Sequence, residues 1–140
     1  MTRIEIEKRD IKASTQQVFN YLADFNNYEE MMPESVTNWE SDKDKCSLQV
    51  SMVPKIQMNI EERLAEHTIK IKGSGPFDFD LTINIEIIDA GNCKTGMVFE
   101  ADINAFMKMM IEKPMGQFFG YLTKQVQKKF DGSAQSDIKK

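Results

Sequence analysis

The chain carries one histidine, His67. A nucleophile–histidine relay needs an imidazole beside its nucleophile, and a multi-histidine metal site needs several, so neither is read here. His67 stands where strand-like sequence from Ile56 to Glu66 gives way to Thr68–Lys72, and a solvent-exposed turn residue is expected there. Glu62 is the more interesting acid. Counting by two from Ile56, Met58 and Ile60 places it on the apolar face of its strand, ahead of Leu64. A carboxylate inside an apolar cavity has its pKa raised, as a general acid needs. Two other placements stay open: a register slip at Glu61-Glu62-Arg63, or a position at a cavity mouth, paired with a lysine or Arg63. Tyr121 lies one helical step off an apolar stripe, so its hydroxyl faces either a cavity or solvent. Trp39 shares its phase with Thr37 and Ser41, which implies a face of mixed exposure.

The remaining titratable groups point to surface roles. Asp78, Asp80, Glu86, Glu100 and Asp102 fall on the outer, solvated face of two alternating segments, with no spacing of the EF-hand kind. No metal site and no cofactor is expected. Cys46 and Cys93 are far apart and form no CxxC pair, so they read as small buried or edge residues, not as a disulfide. Lys124, Lys128, Lys129, Lys139 and Lys140 gather near the end of the chain, where cations suit a helix C-terminus. With a formal charge of −4, nucleic acid is not an expected partner.

The elements that must position these groups follow from hydrophobic periodicity. Arg3–Lys12 reads as a strand in which Ile4 and Ile6 alternate with charges and Ile11 recurs out of phase, so a bulge is expected near Lys8 and Arg9. Ser14 and Gln17 make a capping box for a short helix with Val18, Phe19, Leu22 and Ala23 on one face. A second helical stretch, Phe25 to Met32, stops at Pro33. From Ser35 the period becomes two. Val36–Asp42 and Lys45–Val53 predict a hairpin, and Ile56, Met58 and Ile60 a half-buried strand. Phe77 to Ile88 holds Phe77, Phe79, Leu81, Ile83, Ile85 and Ile87 at every odd position, and Met97, Phe99, Ala101, Ile103 and Ala105 continue the alternation after an Ala90-Gly91-Asn92 turn. Strands with one apolar and one polar face make an antiparallel sheet covered on one side. Phe106 to Phe130 then has helical spacing, with Pro114 expected to kink or break it, and Gly116 and Gly120 leaving a smooth patch.

The order is therefore strand, two short helices, about six antiparallel strands and one long helix, an α+β arrangement of some six to seven strands in all. A one-faced sheet must curl over something apolar, and the last helix is the element large enough. With 140 residues, one domain is expected over residues 1–130, followed by a polar tail at 131–140 expected to be disordered. No apolar run approaches the roughly 20 residues that span a bilayer, so no stable membrane insertion is expected. The opening Met-Thr-Arg-Ile-Glu-Ile-Glu-Lys alternates charge with apolar residues, unlike a signal peptide, and a cytoplasmic location is expected by default. No apolar stripe is evident on the exposed face, which suggests a monomer.

This order, with Ala13 to Tyr28 and the following Met32-Pro33, resembles the helix-grip superfamily of START-like, birch-pollen-allergen-like and small bacterial polyketide cyclase/dehydrase proteins. The resemblance covers Ile4 to about Phe130 and includes Lys113-Pro114-Met115 in the last helix. It implies a cavity between sheet and long helix that holds a lipid, sterol or polyketide-like molecule. Met58, Phe79, Ile83, Met97, Phe99, Met110, Phe118, Tyr121 and Leu122 would line it. The ten methionines suit an adaptable apolar lining, although ordinary core filling is the simpler reading of them. Three functions stay open: binding or transport of a small hydrophobic ligand, a cyclase/dehydrase-type enzyme using Glu62 or Tyr121 as acid or base, or a protein-interaction domain whose core is filled by its own side chains.

Overall fold

The computed structural model describes residues 1–51 and 53–131. Seven strands form one antiparallel sheet: β1 (Thr2–Ile11), β2 (Val36–Ser41), β3 (Lys45–Val50), β4 (Ile56–Leu64), β5 (Thr68–Ser74), β6 (Phe79–Asp89) and β7 (Asn92–Ala101). Their order across the sheet is β1-β7-β6-β5-β4-β3-β2, so the first strand crosses to pair with the last and the others follow as a meander. Helix α1 (Thr15–Leu22) follows β1, and helix α2 (Ala105–Phe130) follows β7. This is the helix-grip fold.

Register explains why one face of the sheet is apolar. Ile69, Ile83, Met97 and Ile6 stand opposite one another across β5, β6, β7 and β1, and Ile71, Leu81, Phe99 and Ile4 form the next row. Just beyond the second row, on the outer face, Lys72, Asp80, Glu100 and Arg3 stand opposite one another, a cation at each end of two acids. Lys72 reaches Asp80 at 3.2 Å and Arg3 reaches Glu100 at 3.0 Å. A period of two thus separates core from solvent over four adjacent strands. Register shifts between Ile6 and Arg9, between Thr37 and Glu40, and between Ile60 and Glu62 bend the strands and help the sheet curl.

Helix α1 begins on the expected capping box: the Gln17 backbone N–H donates to the Ser14 hydroxyl at 3.1 Å, and the Ser14 N–H donates to the Gln17 side chain at 3.0 Å. The second helical stretch is not an α-helix. It consists of two single 3-10 turns, Phe25–Asn27 and Glu29–Met31, the first capped by Asp24. Arg63 fixes this junction to the hairpin, donating from Nε and Nη2 to the Ala23 carbonyl oxygen at 3.0 and 2.8 Å and pairing with Asp44 at 2.6 Å.

Other departures from the sequence reading have local causes. Ile87 is 71% exposed although it keeps the odd phase of β6, because the alternation outruns the covered part of the sheet. Pro114 lies inside α2, and the helix continues through it. The exposed surface does carry an apolar group, Phe106, Met109 and Met110 at the start of α2, which the sequence reading did not anticipate. The expected tail lies, from residue 132, outside the described residues. No helix among the described residues is long and apolar enough to cross a membrane.

Candidate ligand-binding cleft

The space between the sheet and the C-terminal two-thirds of α2 is occupied by aromatic rings. Phe79 stacks on Phe99 with centroids 5.0 Å apart, Phe99 meets Phe119 at 5.9 Å, and Phe119 meets Phe118 at 5.0 Å. Phe77 closes the row against Phe79 at 5.6 Å. Met58, Ile83, Met97, Met115 and Leu122 pack with them and are all buried. Gly73 belongs to this packing, because a Cβ there would come within 2.0 Å of the Phe79 ring.

An opening remains at the other end of the same helix. A cleft of about 290 Å³ lies between the first third of α2 and the β3–β4 and β5–β6 turns at one end of the sheet. Met107, Met110, Ile111 and Pro114 line one wall, and Ser51, Val53, Pro54 and Pro76 the other. Ile111 is buried and forms its floor towards Met115 and the aromatic row. Three of the four prolines in the chain converge here. Proline has no backbone donor, so its ring presents a wall that leaves no N–H unsatisfied in an apolar setting. Pro114 has a second effect. A residue with an N–H at position 114 would bond the Met110 carbonyl, and proline leaves that oxygen without its usual helical donor beside the cleft. Ser51 is the one residue with a polar side chain among the described residues that line the cleft.

The expected site residues are distributed over several environments. Met110 lines the cleft. Met58, Phe79, Ile83, Met97, Phe99, Phe118 and Leu122 lie in the packed interior instead. Tyr121 is 37% exposed and borders an open groove between β1 and α2, with Ile4, Ile6, Gly116 and Gly120. Glu62 follows the slipped register that had been left open: the shift after Ile60 turns it to the surface, where it meets Lys70 at 3.6 Å. The bulge in β2 re-aims Trp39 in the same way. Asn38, at φ 57°, occupies the extra position, and Trp39 packs half-buried against the core. Its indole N–H is buried without a hydrogen bond among the described residues. His67 lies in the β4–β5 turn, exposed, 3.2 Å from the Thr68 hydroxyl. Cys46 and Cys93 are free and buried, and burial pushes the Cys46 thiol up to about 12.

Val53, Pro54, Pro76, Met107, Ile111 and Pro114 were not singled out as site residues by sequence. The signal that bore on them was the prolines at predicted turns and within the helix, but nothing in the pattern said that the three rings meet.

One further titratable cluster ties α1 to the end of α2. The Tyr21 hydroxyl lies between the Glu30 carboxylate and the Asn27 carbonyl oxygen. Lys129 reaches Glu30 at 3.3 Å and covers the Tyr21 ring. Partial burial and the adjoining carboxylate hold the phenol above its ordinary pKa, and its hydrogen bond holds Glu30 below the usual carboxylate range. The cluster is remote from the cleft and serves to clamp the two helices.

Comparison with known proteins agrees with this geometry. The profile of the family described as polyketide cyclase/dehydrase and lipid transport matches residues 1–131. No protein of curated function matches the chain. Among solved structures, the protein XoxI from Bacillus cereus superposes with a TM-score of 0.75 at 14% identity, over 100% of this chain and 99% of that one. A START superfamily protein from Mycobacterium smegmatis gives 0.72 at 11% identity, covering 92% and 97%. The ZhuI aromatase/cyclase from Streptomyces sp. R1128 gives 0.67 at 13% identity, covering 97% of each chain. At these identities the likeness is one of fold.

Proposed function

The chain belongs to the polyketide cyclase/dehydrase and lipid transport family, and on that premise we propose that it binds a small hydrophobic molecule in the cleft between the Pro54 and Pro76 turns and the first third of α2. One observation carries this reading: an open concavity whose walls are apolar except for Ser51, set against an interior that its own rings already fill. Its volume stands at the low end of the roughly 300–1,000 Å³ usual for ligand sites. The ligand is therefore small, or it is only partly enclosed. Apolar burial at about 25 cal/mol per Å² supplies the affinity, and a hydroxyl donor on the ligand would meet the Met110 carbonyl or Ser51.

Binding is favoured over catalysis because no acid or base stands among the residues lining the cleft. Glu62 and Tyr121, the two groups proposed for acid–base work, are both remote from it. A carrier or sensor needs no such group.

Native mass spectrometry of freshly purified protein, followed by organic extraction, tests the reading. A stoichiometric apolar passenger is expected, along with saturable binding of 1-anilinonaphthalene-8-sulfonate that Met110→Glu weakens. A protein that carries no passenger and ignores the probe, or a Met110→Glu variant that binds it unchanged, would overturn the proposal.

A further inference from the structure

Three large apolar side chains at the start of α2, one of them on the rim of the cleft, are exposed. Phe106 is 71% exposed, Met109 82% and Met110 57%, and no residue of α2 before Ile111 is buried. They stand at spacings of three and four, so they share one helix face, and Lys113 falls near the centre of that face one turn on. Glu112 is turned about 110° away from it round the helix. Across the cleft, Lys55 stands on the Pro54 turn and is exposed.

Six of the lysines are neutralised by a neighbouring carboxylate, and these two are not. Lys8, Lys12, Lys70, Lys72, Lys94 and Lys129 each meet a carboxylate. Lys55 and Lys113 form no ion pair among the described residues.

From this placement we infer that the Phe106-Met109-Met110 face with Lys113 and Lys55 docks on an anionic bilayer surface, so that the cleft exchanges its ligand with the membrane. The inference rests on the ligand-binding reading above and names the ligand's source. Three observations select a bilayer over a second copy of the chain. The exposed apolar area of the three side chains is on the order of 400 Å², against the ~800 Å² that each partner gives to a standard protein interface. An apolar wedge flanked by unpaired cations matches the headgroup boundary of an anionic leaflet, where each nearby lysine adds about 1 kcal/mol. The wedge is also continuous with the cleft through Met110, which belongs to both, so docking would bring one rim of the cleft to the bilayer surface.

Flotation with vesicles tests this, using phosphatidylcholine alone and a three-to-one mixture of phosphatidylcholine and phosphatidylglycerol. The wild-type protein is expected to float with the mixed vesicles, and less so with phosphatidylcholine alone or in high salt. The double variant Phe106→Ser/Met109→Ser is expected to lose about tenfold in vesicle binding, and Lys113→Glu to lose mainly the preference for the mixed vesicles. Both change exposed side chains, and an unaltered thermal melt confirms that they fold. In parallel, 1-anilinonaphthalene-8-sulfonate binding is measured in vesicle-free solution, where the double variant should match wild type.

Wild-type protein that floats with neither vesicle, or a double variant that floats like wild type, overturns the docking inference while probe binding stands. A concentration-dependent dimer in sedimentation, abolished by the double variant, overturns it in favour of a second copy. Loss of probe binding by wild type while flotation persists defeats the ligand reading and leaves the surface contact.

Discussion

Helix α2 divides into two parts that face the same sheet under opposite conditions. From Ile111 onward it is anchored: Ile111, Met115, Phe118, Phe119, Leu122, Thr123 and Val126 are buried, and the Phe79–Phe99–Phe119 row fills the space beneath. Before Ile111 it overhangs, with Phe106, Met109 and Met110 exposed and a cleft below. The same apolar alphabet of Phe, Met and Ile therefore does two things along one helix. Where a facing strand supplies a partner ring it makes a core. Where the facing elements are proline turns it makes a concavity. The partner decides, not the helix.

That contrast can be broken first in the closed part. Phe99→Ala should cost about 3–5 kcal/mol of stability in urea unfolding, because it removes a ring that touches Phe77, Phe79 and Phe119. A loss below about 1 kcal/mol would mean that the row is not packed as a core. An alkaline limb belongs to the same part. Burial holds the Tyr28 phenol well above its ordinary value of 10.0, and Tyr21 is raised by burial and by Glu30. A folded-state pKa above the unfolded one favours the native state fully below the unfolded value. Stability should hold below about pH 10 and fall as the pH rises beyond it. Tyr28→Phe should flatten that fall and cost about 1 kcal/mol at neutral pH, through the lost 2.8 Å hydrogen bond to the Leu22 carbonyl.

In the open part the expected effects change kind. Met110→Glu should weaken hydrophobic-probe binding by about tenfold, roughly 1.4 kcal/mol, with little change in the melting temperature, as titration and a thermal scan would show. Phe106→Ala is the smallest expected effect on the fold, within about 0.5 kcal/mol, despite removing a side chain as large as that of Phe99.

Periodicity in the sequence carried the closed part well. The alternation from Phe79 to Ile85 and from Met97 to Ala101 identified inward residues correctly, because a strand covered on one side leaves only that choice. Strict alternation alone does not place a residue where a register shift intervenes, and for Glu62 the slip was one of the placements left open. Glu62 and Trp39 each sit just beyond a bulge, and one inserted residue exchanges the two faces. The bulge in β1, by contrast, was readable from Ile11 falling out of phase. The cleft was the least readable feature. Whether Phe118 lines a cavity or fills it depends on how closely Phe119 and Phe99 approach, a distance that no pattern encodes. Met110 was placed among the lining residues, but its neighbours in the cleft come from turns near residues 53 and 76, joined to it only by the curl of the sheet.

The ten methionines offer the most direct test of this division. Methyl-labelled methionine spectra recorded while a hydrophobic probe is titrated in would report both parts at once. The Met107 and Met110 signals are expected to shift and saturate together, while those of Met58, Met97 and Met115 stay in place. Shifts at Met58, Met97 and Met115 with Met107 and Met110 unmoved would contradict it, placing the ligand between sheet and helix where the aromatic row now stands.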